Sequence, residues 1–121
     1  MTAAATSVFS FGCYLVINGL TLMLAPNLLL SWFGLASTND PWIRVLGVVV
    51  FVLGLYYASA GRQGLVPFFR WTIWGRALVL VLFIALVAAG MAPTQLIVFG
   101  LIDAVGAMWT AFAMRAKAVP A

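Results

Sequence analysis

The sequence has no histidine and no glutamate, a single cysteine, and only two aspartates among 121 residues. Each scarcity removes a chemistry. Without histidine there is no usual axial ligand for a b-type haem and no imidazole-based metal site. A lone Cys13 cannot close an internal disulfide, and its place in an apolar run leads to the expectation that it packs as a small hydrophobe. No phosphate-cradling loop, nucleophile elbow or zinc-binding helix motif occurs. An enzyme would have to rest on aspartate and arginine alone. No catalytic residue, metal or cofactor is therefore assigned.

Charge is equally sparse. Charged residues make up 7% of the chain and hydrophobic residues 66%, against roughly a quarter and a half in soluble domains. Eight charges cannot cover a water-soluble fold of this size. The net charge of +4 is not gathered on a solvated face; its arginines stand at the ends of apolar runs or within them. Nucleic acid is thus not an expected partner. The lipid bilayer is the first partner. The segment before Cys13 has no positive n-region, so a cleaved signal peptide is not expected.

What is present in quantity is apolar length. Crossing the hydrocarbon takes about 20 mostly apolar residues, and four such runs occur, at 5–24, 42–60, 68–90 and 94–114. Pro26-Asn27, Ser37 to Pro41, Gly61 to Gly64 with Pro67, and Gly90 to Pro93 punctuate them. Short connections make successive helices antiparallel neighbours. The fold expected is an all-α, four-helix transmembrane bundle with up-down topology, forming one integral membrane domain over 1–121. The stretch from Asn27 to Gly34 is too short to span and reads either as a short interfacial helix, with Asn27 and Ser31 on one face, or as an apolar loop.

Four spans place both termini on one side, together with Arg62, Arg70, Arg76, Arg115 and Lys117, against Arg44 alone on the other. Lysine and arginine concentrate on the cytoplasmic side, so cytoplasmic termini are expected. Trp32 and Trp42 would mark the outer interface, and Trp71, Trp74 and Trp109 the inner one.

Gly12 and Gly19 are seven residues apart in the first run, and Gly47 and Gly54 in the second. Seven residues is about two turns, so each pair forms a stripe along which backbones can approach in lipid. Gly100, with Ala104, Gly106 and Thr110, offers a similar stripe in the fourth run.

The candidate functional residues are the polar groups that lipid does not welcome. Asp103, near the middle of the fourth run, costs about 2.5 to 3.5 kcal/mol there when charged. Arg76, inside the third run, is the expected partner of Asp103. Asn18 is expected to bond across to another helix. Arg44 has Asp40 four residues before it as a local partner, or can lean toward Asn18 and Asp103. Such a cluster either pins helix register or lines a site for a proton, ion or small ligand.

Two stretches, GLYYASAGRQGLVPFFRWTIWGR from Gly54 to Arg76 and DAVGAMWTAFAMR from Asp103 to Arg115, with APNLLLSWFGL after the first run, resemble the small four-helix bacterial membrane proteins grouped as DoxX-like and BphX-like. That resemblance implies the bacterial inner membrane and the four-helix layout. Some DoxX-type relatives are subunits of quinone-linked redox enzymes and carry a cysteine pair, which this chain, with Cys13 alone, lacks. Four-helix multidrug exporters of similar length carry a membrane-embedded glutamate that is missing here. Two functions stand side by side: an interaction, assembly or anchoring subunit that meets a membrane protein partner or its own copy, and a protein that binds or transports a proton or a small hydrophobic, quinone-like ligand at Asp103 and Arg76.

Overall fold

The computed structural model describes the backbone of residues 1–118 and the side chains of residues 1–115. Among the described residues the chain is all-α, with five helices and no strand. They are α1 (Ala3–Leu24), α2 (Pro26–Trp32), α3 (Trp42–Gln63), α4 (Val66–Ala88) and α5 (Leu96–Ala118). Four of them, α1, α3, α4 and α5, are long and apolar enough to cross a membrane. In each, most of the apolar stretch is left uncovered by the rest of the chain, an arrangement that suits an apolar solvent. The architecture is the helical bundle class expected.

Local chemistry sets where the helices start and stop. Thr2 begins α1, its hydroxyl accepting from the Ala5 N–H at 3.1 Å. Pro26 and Pro67 sit in the first turns of α2 and α4, where a missing N–H costs nothing. Gly34, Gly64 and Gly90 have φ near +70° and end α2, α3 and α4. At Gly90 the closing bonds run from Gly90 N–H to Val87 O (3.0 Å) and from Met91 N–H to Leu86 O (2.9 Å). The helix α3 thus runs through Gly61, placed in a turn by composition, because the left-handed residue that stops it is Gly64. The fifth helix begins after Thr94 and Gln95, which lie in a turn closed by Leu96 N–H to Pro93 O at 3.0 Å.

The chain divides into two compact units. One is formed by residues 9–59 and the other by 1–8 with 60–121. In the first unit, α1 and α3 pack through their glycines. A Cβ on Gly12 would lie 2.5 Å from the Ala58 nitrogen, and one on Gly47 2.7 Å from the Met23 nitrogen. Phe11 stacks at a tilt on Tyr57, ring centres 5.5 Å apart. The segment between Asn27 and Gly34 is helical, as α2, rather than a loop, with Leu29 and Leu30 buried and Asn27 and Ser31 exposed. Asn27 fastens the following loop: its Oδ1 accepts from Thr38 N–H at 2.8 Å and its Nδ2 donates to Thr38 O at 3.2 Å. In the second unit α4 and α5 pack as a pair. There a Cβ on Gly100 would come within 3.1 Å of the Leu80 Cα, so the two backbones are close at that level.

Candidate functional site

The second unit contains a polar network built on Arg76, the eleventh residue of α4. At 1.5 Å per residue this puts its backbone about 15 Å from the start of the helix, near the middle of a span. The side chain is 1% exposed, as is Ser7, and Thr110 is fully buried.

One turn before Arg76, Thr72 lies on the same face of α4. Arg76 Nε donates to the Thr72 carbonyl at 3.2 Å and Nη2 to its hydroxyl at 3.0 Å. The same Nη2 donates at 2.9 Å to the hydroxyl of Thr110 on α5. Thr110 and Ser7 hydroxyls are 2.7 Å apart, and Ser7 also reaches the Ala4 carbonyl at 2.7 Å. Each hydroxyl has one proton. The two 2.7 Å contacts are both satisfied when Thr110 donates to Ser7 and Ser7 to Ala4. The result is a directional chain from the guanidinium through Thr110 and Ser7 to a backbone carbonyl. Every oxygen along it turns its lone pairs toward the cation, and successive bonds polarise one another. The network joins the first turns of α1 to α4 and α5.

Asp103 is the eighth residue of α5 and half-buried. It lies seven residues, about two turns, before Thr110, hence on the same side of the helix. Arg76 is near enough for its charge to act on Asp103. The hydrogen bonds found for Arg76, however, run to the threonines. Among the described residues none is found to the Asp103 carboxylate.

The other two candidate residues lie in the first unit. Asn18 is half-buried on α1, and its side-chain amide makes no hydrogen bond to another described residue. Arg44 is exposed and donates from Nη1 to the Met23 carbonyl at the end of α1. Its expected partner Asp40 is engaged elsewhere: Oδ1 accepts from the Trp42 N–H at 3.0 Å. The helix begins at Trp42, so Asp40 lies outside it, where a four-residue spacing no longer sets two side chains side by side. Its carboxylate serves instead as a cap for the first turn.

Ser7, Thr72 and Thr110 are the site residues that sequence reasoning did not single out. The available signal was the Thr72–Arg76 spacing, which places an acceptor one turn below a buried cation.

Length and composition of the four spans define the chain as a helical membrane protein. A family model described as an uncharacterized protein conserved in bacteria (DUF2065) matches residues 8–59, under half of the chain. The matched stretch coincides almost residue for residue with the first compact unit, 9–59. No curated protein and no solved structure matches the chain.

Proposed function

We propose that this chain is a small integral subunit of the bacterial inner membrane that anchors, assembles or stabilises a partner protein. It crosses four times with both termini in the cytoplasm, in the manner of the DoxX-like and BphX-like proteins that it resembles. The observation that carries this reading is the closure of Arg76. A cation that handles a ligand must be reachable by it. Here the guanidinium is 1% exposed and engaged by Thr72 and Thr110. Its network ties helices together, which suits a scaffold.

The burial of Arg76 also removes it from the count that sets orientation. Arg62, Arg70, Arg115 and Lys117, the last with a side chain outside the described residues, remain against Arg44. The bias still favours cytoplasmic termini. The exposure of all five tryptophans supports their reading as interfacial belts.

A second reading, handling of a proton or a small hydrophobic ligand, is favoured by Asp103, an ionisable group only partly buried within a span. The experiment that separates the two is extraction of the tagged chain from native membranes in mild detergent. Migration in a complex with a stoichiometric partner supports the subunit reading. A solitary chain whose proton or ligand uptake is lost in a well-folded Asp103→Asn variant overturns it in favour of the second.

A further inference from the structure

Where α3 passes into α4, the second unit carries three exposed arginines at one end. Arg62 stands in the last turn of α3, Arg70 is the fifth residue of α4, and Arg115 lies near the end of α5. Packing fixes their depth. A Cβ on Gly100 would lie 3.1 Å from the Leu80 Cα, so these two levels coincide. The short connection makes α4 and α5 antiparallel. From that level Arg70 is ten residues along α4 and Arg115 fifteen along α5, toward the same end. Their backbones differ by about 7 Å at 1.5 Å per residue. Cα–Cβ bonds tilt toward a helix N-terminus. The stem of Arg70 therefore leans toward that end, and those of Arg62 and Arg115 lean back from it. The three guanidiniums are drawn to one level, within a headgroup layer about 5 to 7 Å deep.

We propose that this end of the unit binds anionic phospholipid, with Arg62, Arg70 and Arg115 holding headgroup phosphates while Trp71 and Trp74 hold the upper tails. The proposal goes beyond the subunit reading and stands on the spans alone, whether or not the chain serves a partner. Charge and exposure select the occupant. The unit's described carboxylate, Asp103, is level with Ala77, seven residues or about 10 Å deeper than Arg70. Asp40 caps the opposite end of α3 from Arg62. Among the described residues, then, the chain supplies no counter-charge at the level of the arginines. Zwitterionic headgroups carry their own cation, whereas a net anionic phosphate accepts the paired N–H groups of a guanidinium. The arginines also stand among exposed apolar side chains, Leu65, Trp71, Trp74 and Phe112. A soluble acidic domain or a free anion matches the charges and leaves those side chains bare. An anionic lipid covers both, and the bilayer that the spans require supplies it at that depth.

The test reconstitutes the full chain in phosphatidylcholine vesicles holding a fixed fraction of brominated-tail lipid. Trp32→Phe and Trp42→Phe confine the emission to Trp71, Trp74 and Trp109. Bromine quenches a tryptophan that it touches. Brominated phosphatidylglycerol should quench as though enriched about fivefold or more over brominated phosphatidylcholine, the scale of one arginine at an anionic surface. The enrichment should vanish when all three arginines become glutamine. It should persist when they become lysine, which keeps the charge, and in Arg44→Gln. High salt should reduce it. Equal quenching by the two lipids in the parent overturns the proposal, as does enrichment that the glutamine variant retains. Were that variant not to fold, Arg62→Gln, Arg70→Gln and Arg115→Gln should each lower the enrichment, and no change in any of them overturns the proposal. Excess inorganic phosphate should displace little of the lipid. Full displacement makes the occupant a free anion, and an acidic protein that excludes the lipid from these arginines in native membranes makes it a protein; either result overturns the proposal.

Discussion

Gly12 on α1 and Gly54 on α3 face each other so closely that a Cβ on either would lie 2.9 Å from the other's carbonyl oxygen. Two turns along, a Cβ on Gly47 would stand 2.9 Å from the Gly19 carbonyl. The two stripes therefore mesh antiparallel, Gly12 with Gly54 and Gly19 with Gly47. In lipid, where dispersion replaces the hydrophobic effect, this proximity is the main source of attraction between the two helices. The atoms that a side chain would meet are backbone, which has little room to yield. Gly12→Ala or Gly54→Ala should lower stability by about 1 to 3 kcal/mol, against the usual helix preference for alanine. Gly75, with nothing within 4 Å of its Cβ position, is the control. Gly75→Ala should be neutral or gain up to about 1 kcal/mol. Reversible unfolding of the variants in detergent, or steric trapping in bilayers, measures the difference, and equal losses at all three positions would argue against the meshed stripes.

The Arg76 network makes a second prediction. Thr110→Val preserves shape and removes the hydroxyl that links Arg76 to Ser7. It leaves a buried donor short of an acceptor, at a cost of about 1 to 3 kcal/mol. Ser7→Ala should cost less, because Thr110 can redirect its proton to the Gly106 carbonyl, 3.2 Å away. In the double variant Arg76→Met with Thr110→Val, the loss should be smaller than the sum of the single losses, since each member's cost arises partly from stranding the other. Unfolding free energies of the four proteins test this. Strict additivity would mean that the two side chains do not act as one unit.

The spans were legible because an apolar run of crossing length carries its own meaning, whatever it packs against. The glycine stripes were legible as spacing, but their register was not. Which glycine meets which depends on the connection through α2, and composition left that segment open between helix and loop. The hydroxyls of the site were hidden for a different reason. Serine and threonine in membrane helices can satisfy themselves on their own backbone, as Ser7 does on Ala4 and Thr72 on Phe69. Nothing in a lone sequence says which of them also reach across. Arg44 was read through a four-residue spacing that holds inside a helix, and Asp40 lies just before one.

The loop that leads into α3 should respond to single changes. Asp40 caps the helix and Asn27 holds Thr38 by two hydrogen bonds. Asp40→Ala should destabilise the first turn by about 1 kcal/mol. Asn27→Ala should free the loop with a similar loss. Hydrogen exchange read at residues 42–46 should rise in Asp40→Ala, whereas in Asn27→Ala the rise should centre on 35–40. Unchanged exchange in both would remove these side chains from any role in fastening the loop.

The structure also sharpens what sets orientation. Positive charge acts on topology when it stands in or beside a short loop. Arg76 is buried mid-helix, so it should have no say, whereas Arg62 and Arg70 flank the connection between α3 and α4. With fusions of alkaline phosphatase and a fluorescent protein to the C-terminus, the parent should report a cytoplasmic end. Arg76→Met should report the same, whatever it does to stability. Removing Arg62 and Arg70 as glutamines while placing lysines at Ser37 and Asn39 turns the bias around: Arg44 and two new lysines then oppose Arg115 and Lys117. A substantial part of that population should insert with its termini outside. If Arg76→Met alone inverts the chain, the arginine acts on insertion before it reaches its buried place. The count of loop charges would then no longer account for sidedness.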